Sequence, residues 1–282
     1  MTGSQTGLKA GGLRLAIDGA VATVTLGRPE RRNAMTPAVW HGLAEIGSSL
    51  PPQVRVVVLR GDGPSFCAGI DLSLLAGAAG GSRAVAPTGQ EGDGGEPIAT
   101  PDDPDFGDKI AGYQAGYLWL RDPAIVSIAA VQGHAIGAGF QLALACDLRI
   151  LAEDAKLCMK EPALGLVPDL TGTKPLVDIV GLPRAIELCL TARTVTAAEA
   201  LLLRLAELVV PAAELDSAVA DLVAALLATD AAAARATKAL LQHATGHSLA
   251  EQAAEERRVP AELLKSRPDG GASPPTASSG SP

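Results

Sequence analysis

Two apolar runs, Val54–Leu59 and Ile125–Val131, each lead into a glycine-bearing segment, and that repetition leaves the chain few folds. The first segment is Ser65-Phe66-Cys67-Ala68-Gly69-Ile70-Asp71-Leu72. The second is Gly133-His134-Ala135-Ile136-Gly137-Ala138-Gly139-Phe140-Gln141-Leu142. Short continuous apolar runs bounded by turn signals read as strands buried on both faces. A glycine turn after such a strand lets backbones approach closely and aims N–H groups at one point. Two donors from separate turns form an oxyanion hole, a site for negative charge growing on a carbonyl oxygen. A dinucleotide fingerprint is the competing reading, but Gly133, Gly137 and Gly139 give GxxxGxG, not GxGxxG, and no Walker lysine follows. Either segment alone is explained by tight strand–helix packing; the pair points to an anion site. Ala138 falls at a helix N-terminus, where the dipole favours negative charge.

Composition narrows the partners. The chain has 282 residues, 48% of them hydrophobic and only 2% aromatic, so the core must be built from Ala, Val, Leu and Ile. A formal net charge of −8 argues against nucleic acid as a main partner. Cys67, Cys146, Cys158 and Cys189 show no CxxC spacing, which suits reduced thiols in a cytoplasm. Met1–Gly12 is polar and glycine-rich and does not read as a secretory segment. No apolar run approaches the roughly 18 residues of a membrane span, so no membrane partner is expected.

The chain alternates strands and helices over its first two thirds, an α/β pattern. Leu13–Ile17 and Val21–Leu26 flank Asp18-Gly19, a hairpin signal. Thr36-Pro37 reads as an N-cap and first helical residue of a helix to Leu50. A helix is expected over 106–121, another over 137–146, and short strands over 148–152 and 155–159. From Thr173 onward helices dominate, with 214–228, 231–243 and 249–265 the clearest. Residues 76–106, rich in Gly, Pro, Asp and Ala, read as a mobile surface loop. The expected layout is a flexible N-terminus over 1–12, a core domain over 13–195, a helical region over 196–265 and a disordered tail over 266–282.

Five motifs in order carry a family resemblance. They are Gly27-Arg28-Pro29-Glu30-Arg31-Arg32-Asn33-Ala34-Met35, Phe66–Leu72, Gly133–Gly139, Leu142-Ala143-Leu144-Ala145-Cys146-Asp147 and Gly165-Leu166-Val167-Pro168-Asp169. The chain resembles the crotonase superfamily, the enoyl-CoA hydratase/isomerase family, over roughly residues 13–265. The resemblance implies a spiral of ββα units with a helical C-terminal region that mediates trimerisation, as a homotrimer or dimer of trimers. It implies an acyl-CoA substrate, with coenzyme A entering as part of that substrate and no separate cofactor. It implies a thioester oxygen held by the N–H groups of Ile70 and Ala138. CoA would lie along the first loop, its adenine near Cys67, Ala68, Gly69, Asp71 and Leu72, with Arg28, Arg31 or Arg32 as phosphate partners. Taken singly, each arginine is better explained by a solvated basic turn.

Removing a proton α to a thioester requires a base beside the oxyanion hole. Hydratases of the family resemble a two-carboxylate design, with one carboxylate on the helix after the oxyanion glycines and the other about 20 residues later. Here those positions hold Gln141 and Glu161. Gln141 is neutral and cannot take a proton, though it can hydrogen-bond water or substrate. Asp169 follows eight residues after Glu161, a pairing that resembles the family's isomerases. The expectation is therefore an enzyme with isomerase chemistry favoured, Glu161 shuttling the proton and Asp169 a second acid/base or orienting group. A hydratase and a weakly catalytic acyl-CoA-binding protein are the alternatives. Outside that frame, Glu161 reads as a surface ion-pair residue and Asp169 as a helix cap. No metal site is expected: His243 and His247 have helical ligand spacing but no third ligand. Cys67 reads as a packing residue, and Trp119 and Phe140 as core or acyl-pocket residues.

Overall fold

The computed structural model describes residues 5–8, 10–74 and 97–265. One compact unit runs to Ala228 and a second from Thr229. In the first unit, a seven-stranded sheet has the order β1-β2-β3-β4-β5-β7-β10. These strands are β1 Gln5–Leu8, β2 Leu13–Asp18, β3 Val21–Leu26, β4 Val56–Gly61, β5 Val126–Val131, β7 Leu148–Ala152 and β10 Leu208–Val210. A second sheet, β6-β8-β9, comprises β6 His134–Ile136, β8 Lys156–Cys158 and β9 Val195–Thr196. The helices of this unit are α1 Pro37–Ser49, α2 Phe106–Leu118, α3 Ala138–Ala145, α4 Thr173–Val180, α5 Leu182–Thr191, α6 Ala197–Leu202 and α7 Leu215–Leu227.

The two apolar runs of the sequence are the centre of the large sheet. Strands β3, β4, β5 and β7 run parallel, Val58 lying opposite Ile128 and Ala130 opposite Ile150. Alternate residues serve opposite faces. Val57, Leu59, Ala129 and Val131 join the main core, while Val56, Val58, Ile128 and Ala130 pack with Leu215 and Val219 of α7. Covering both faces is why these strands carry no polar alternation.

Local signals account for the flanking elements. The β2–β3 hairpin turns at Asp18-Gly19, with Gly19 at φ +56°. Thr36 caps α1, its hydroxyl accepting the Val39 N–H at 3.4 Å, and Pro37 takes the first helical position. Helix α1 buries Val39, Trp40, Leu43 and Ile46, and Gly116 of α2 lies against it. A methyl at Gly116 would sit 2.6 Å from the Trp40 carbonyl oxygen, so glycine permits that approach. Trp119 packs on Gly47 and Phe140 is buried, both as packing residues.

Three expectations change. Within the N-terminus expected to be flexible, the described Gln5–Leu8 pairs antiparallel with Arg14–Ile17, and Gly11 and Gly12 have positive φ. Residue 195 is not a packing boundary. Beyond it, β10 pairs with β7 at Leu208 and Ile150, and the buried Arg149 donates to the Leu205 carbonyl and ion-pairs with Glu207 at 3.0 Å. The compact unit therefore ends at Ala228, and α8 Ala231–Ala244 and α9 Leu249–Lys265 form the other. Third, the segment after Gly133 is not all turn: His134–Ile136 is a strand, and a 3-10 turn covers Glu161–Leu164. Most of the loop expected over 76–106 and the tail over 266–282 lie outside the described residues.

Candidate active site

The two glycine segments meet. Cys67 donates its N–H to the His134 carbonyl at 2.8 Å and accepts from the Ile136 N–H at 3.0 Å, a parallel bridge that aligns the loops. Cys67 is fully buried and its thiol is pushed up to about 12 by desolvation, so it splices the loops and does not face a ligand. Two residues on, the Gly69 carbonyl accepts from the Met35 N–H at 2.8 Å, and the Asp71 N–H donates to the Met35 carbonyl at 2.9 Å. This pairing turns the Ile70 N–H away from Met35. Gly69 has φ +94°, and a methyl there would lie 2.7 Å from the Ile136 carbonyl oxygen and 3.9 Å from the Ala138 nitrogen. Ile70 N–H and Ala138 N–H thus flank one contact. Neither has a hydrogen-bond acceptor among the described residues. Ala138 opens α3 after Gly137, which adopts φ +50°.

The carboxylate lies beside these donors. Glu161 is 8% exposed, and its carboxyl sits against Gly137: a methyl on Gly137 would be 3.1 Å from Oε1 and 3.4 Å from Oε2. Oε1 accepts from Gln141 Nε2 at 2.6 Å, and Oε2 is buried without a partner. An unpaired buried carboxylate oxygen is costly and marks a place where a proton or ligand belongs. Desolvation raises the Glu161 pKa, opposed by hydrogen bonds including that from Gln141 and reinforced by the charge of Asp169. Desolvation likewise raises Asp169, whose carboxyl is screened although the residue as a whole is exposed. Gln114 of α2 holds the Asp169 backbone, donating to its carbonyl at 2.7 Å. Gln141 itself is fully buried.

The predicted phosphate partners separate. Arg31 Nη2 donates to both Asp71 oxygens at 3.0 Å, and Arg28 approaches the same carboxylate at 3.7 Å. Arg32, at φ +51°, is exposed and pairs with no acid among the described residues. Ala68 donates to the Arg32 carbonyl at 2.9 Å, and the Leu72 side chain is exposed. Sequence reading missed Tyr117, whose hydroxyl donates to the Ala138 carbonyl at 3.1 Å. Only its place in a helix of apolar spacing was visible, and that spacing signals core. His243 and His247 have ring centroids 5.7 Å apart, and no metal-ligating group of three exists among the described residues.

The family model for enoyl-CoA hydratase/isomerase matches residues 16–90 and 107–269. A crystal structure of a candidate enoyl-CoA hydratase of Thermobifida fusca YX, in complex with CoA, is 59% identical. It superposes with a TM-score of 0.82 over 90% of this chain and 93% of that one. The mitochondrial Delta(3,5)-Delta(2,4)-dienoyl-CoA isomerase of Homo sapiens is 35% identical over 236 residues, 82% of this chain and 68% of its own. A candidate enoyl-CoA hydratase of Mycobacterium tuberculosis is 30% identical over 245 residues, 86% of this chain and 85% of its own. With its two-sheet core, converging glycine loops and C-terminal helices, the chain belongs to the enoyl-CoA hydratase/isomerase family of the crotonase superfamily.

Proposed function

We propose that this enzyme shifts a carbon–carbon double bond within an enoyl-CoA thioester. The observation that carries the reading is the buried carboxylate oxygen left unpartnered among the described residues, Glu161 Oε2, beside the Ile70 and Ala138 donors, with a neutral Gln141 where a second carboxylate would stand. In this reading the thioester oxygen rests on the two N–H groups and C2 of a 3-enoyl chain is offered to Glu161. Oε2 takes the C2 proton, the electrons of that C–H bond form C1=C2, and the carbonyl π pair moves onto the thioester oxygen. In the second step the oxygen pair re-forms the carbonyl, the C1=C2 pair moves to C2=C3, and the C3=C4 pair takes the same proton back from Glu161 at C4. Between these steps the charge rests on the thioester oxygen, where each donor supplies on the order of 3 kcal/mol. A base that returns its own proton needs no second carboxylate to hold water. Desolvation raises the Glu161 pKa, which makes its carboxylate a stronger base than a solvated glutamate.

Arg32 is the arginine open to a CoA phosphate, while Arg28 and Arg31 stiffen the loop through Asp71. Ala68, Gly69 and Leu72 line the same loop. Self-association is part of the reading: Leu182, Ile186 and Leu190 form an exposed apolar stripe on α5 at intervals of four. A hydratase is the second reading, favoured by the Asp169 charge felt at Glu161, which would let the two acids share a water.

The test is incubation with a 3-enoyl-CoA and, separately, a 2-enoyl-CoA, with products separated and identified. Interconversion of the two without water addition is expected. Fast formation of 3-hydroxyacyl-CoA from the 2-enoyl-CoA overturns the proposal, and tight binding without turnover leaves an acyl-CoA-binding protein.

A further inference from the structure

The orientation of the Gln141 amide is fixed by its partners. Its Oε1 accepts two backbone N–H groups, Leu170 at 2.9 Å and Gly172 at 3.2 Å. Only the amide nitrogen remains for Glu161, and it donates to Oε1 at 2.6 Å. A flipped amide would put nitrogen against two N–H donors and oxygen against a carboxylate, so no other assignment satisfies the network. The loop is built for this contact: a methyl on Gly172 would fall 2.5 Å from Gln141 Cγ and 3.0 Å from its Oε1. Gly172 has ordinary φ, so space alone demands glycine there. Gly137 leaves the matching space on the far side of Glu161.

We infer that Gln141 is a positioning residue that ties up Glu161 Oε1, leaves Oε2 as the one reactive oxygen, and fixes the loop carrying Asp169. The inference deepens the isomerase reading and rests on it for the word reactive; the positioning itself does not. The bond also supports the charge state. The carboxylate is desolvated, and the groups that face it from the packed elements are Asp169 on the loop, Tyr117 on α2, Cys158 on β8 and Cys189 on α5. None of these is a cation, and Lys160 is its neighbour in the chain. The Gln141 amide is therefore the side-chain donor that holds Glu161 toward its ionised form.

Two substitutions separate positioning from packing. Gln141→Met keeps volume and removes both the donor and the acceptor. Gln141→Glu keeps an acceptor for Leu170 and Gly172 but brings a second titrating group 2.6 Å from Glu161 Oε1. The readout is the 13C NMR titration of the glutamate side-chain carboxyls, with the Glu161 signal assigned by its loss in Glu161→Gln. The Glu161 midpoint should move up by about one pH unit or more in Gln141→Met. In Gln141→Glu it should split into two coupled steps, one below and one above the wild-type midpoint. An unmoved midpoint in the first, or a single unchanged step in the second, overturns the inference. Should Gln141→Met fail to fold, the split in Gln141→Glu decides alone. Failure of the isomerase reading is separate: it appears as absent turnover in the wild type while both titration shifts persist.

Discussion

The Tyr117 hydroxyl donates to the Ala138 carbonyl at 3.1 Å while accepting from the Trp40 indole N–H, also at 3.1 Å. All three residues are buried. The residue that this chain holds, Ala138, opens α3, and its N–H, in the peptide just before the held carbonyl, is one of the two proposed oxyanion donors. Tyr117→Phe leaves a buried indole donor unpaired, which costs roughly 1–3 kcal/mol. Urea unfolding should show that loss. Turnover should fall about tenfold or more with KM little changed, because a donor moved by a fraction of an ångström is weakened mainly in the transition state. A stability loss with unchanged kcat would confine Tyr117 to packing.

Glu161→Gln should separate activity from stability. Removing the base lowers turnover by about 10²–10⁴-fold. Stability moves the other way. Desolvation raises the folded-state pKa of Glu161, so the native protein binds its proton more tightly than the unfolded chain. Stability is then greatest below the ordinary glutamate range and falls as pH rises through the raised value. The amide variant has no such loss. It should melt higher than wild type at pH 8 and with the same midpoint at pH 4, as thermal denaturation followed by circular dichroism would show. A lower midpoint at pH 8 would contradict the direction of the shift.

How far the sequence revealed this site depends on which contacts were local. The strands around Val57 and Ile128 were legible because a continuous apolar run has one explanation when both faces are buried. The helix after Ala138 and the cap at Thr36 were legible from adjacent residues. β6 was not, because three residues paired to β8 carry no period of their own. β10 was hidden for the same reason, and with Arg149 and Glu207 it ties the chain beyond residue 195 to the large sheet. Ile70, Ala138 and Glu161 were visible through motif order. What Gln141 does there was not, because its partners Leu170 and Gly172 lie 29 and 31 residues away. The sequence offered Arg28, Arg31 and Arg32 as equivalents, and only the fold sorts them by which one Asp71 leaves exposed.

Gly69→Ala tests the meeting of the loops. The added methyl would strike the Ile136 carbonyl oxygen at 2.7 Å in a backbone with φ +94°, so the first loop must shift from the second. Loss of one aligned oxyanion donor lowers kcat by roughly 10²–10³-fold. Affinity for free CoA, measured by calorimetry, should change far less, since CoA itself has no thioester oxygen to place. Equal losses in CoA affinity and kcat would mean that the loop as a whole, and not the Ile70 N–H, had been displaced.

Asp71 should govern behaviour on the acid side. Its carboxylate is 7% exposed and receives Arg31 at 3.0 Å on both oxygens, with Ser73 donating through its hydroxyl at 2.7 Å and its N–H at 3.2 Å. Desolvation pushes this acid up, but the bonds from Ser73 and Arg31 together outweigh it and leave the folded pKa below the ordinary aspartate value. Its stabilisation is therefore complete above that ordinary value and drains away as pH falls through the lowered one. Asp71→Asn removes this dependence and leaves Arg28 and Arg31 without a counter-charge. Because Arg31 is about one-third exposed, solvent screens much of that loss, and roughly 1–3 kcal/mol is expected where a fully buried pair would lose more. Melting temperatures from pH 7 to pH 3 should fall more steeply for wild type than for Asp71→Asn, the two curves converging at the acid end. Parallel curves would show that the Asp71 carboxylate gains nothing from folding, and that the Ile70 loop is held by its Met35 backbone bonds alone.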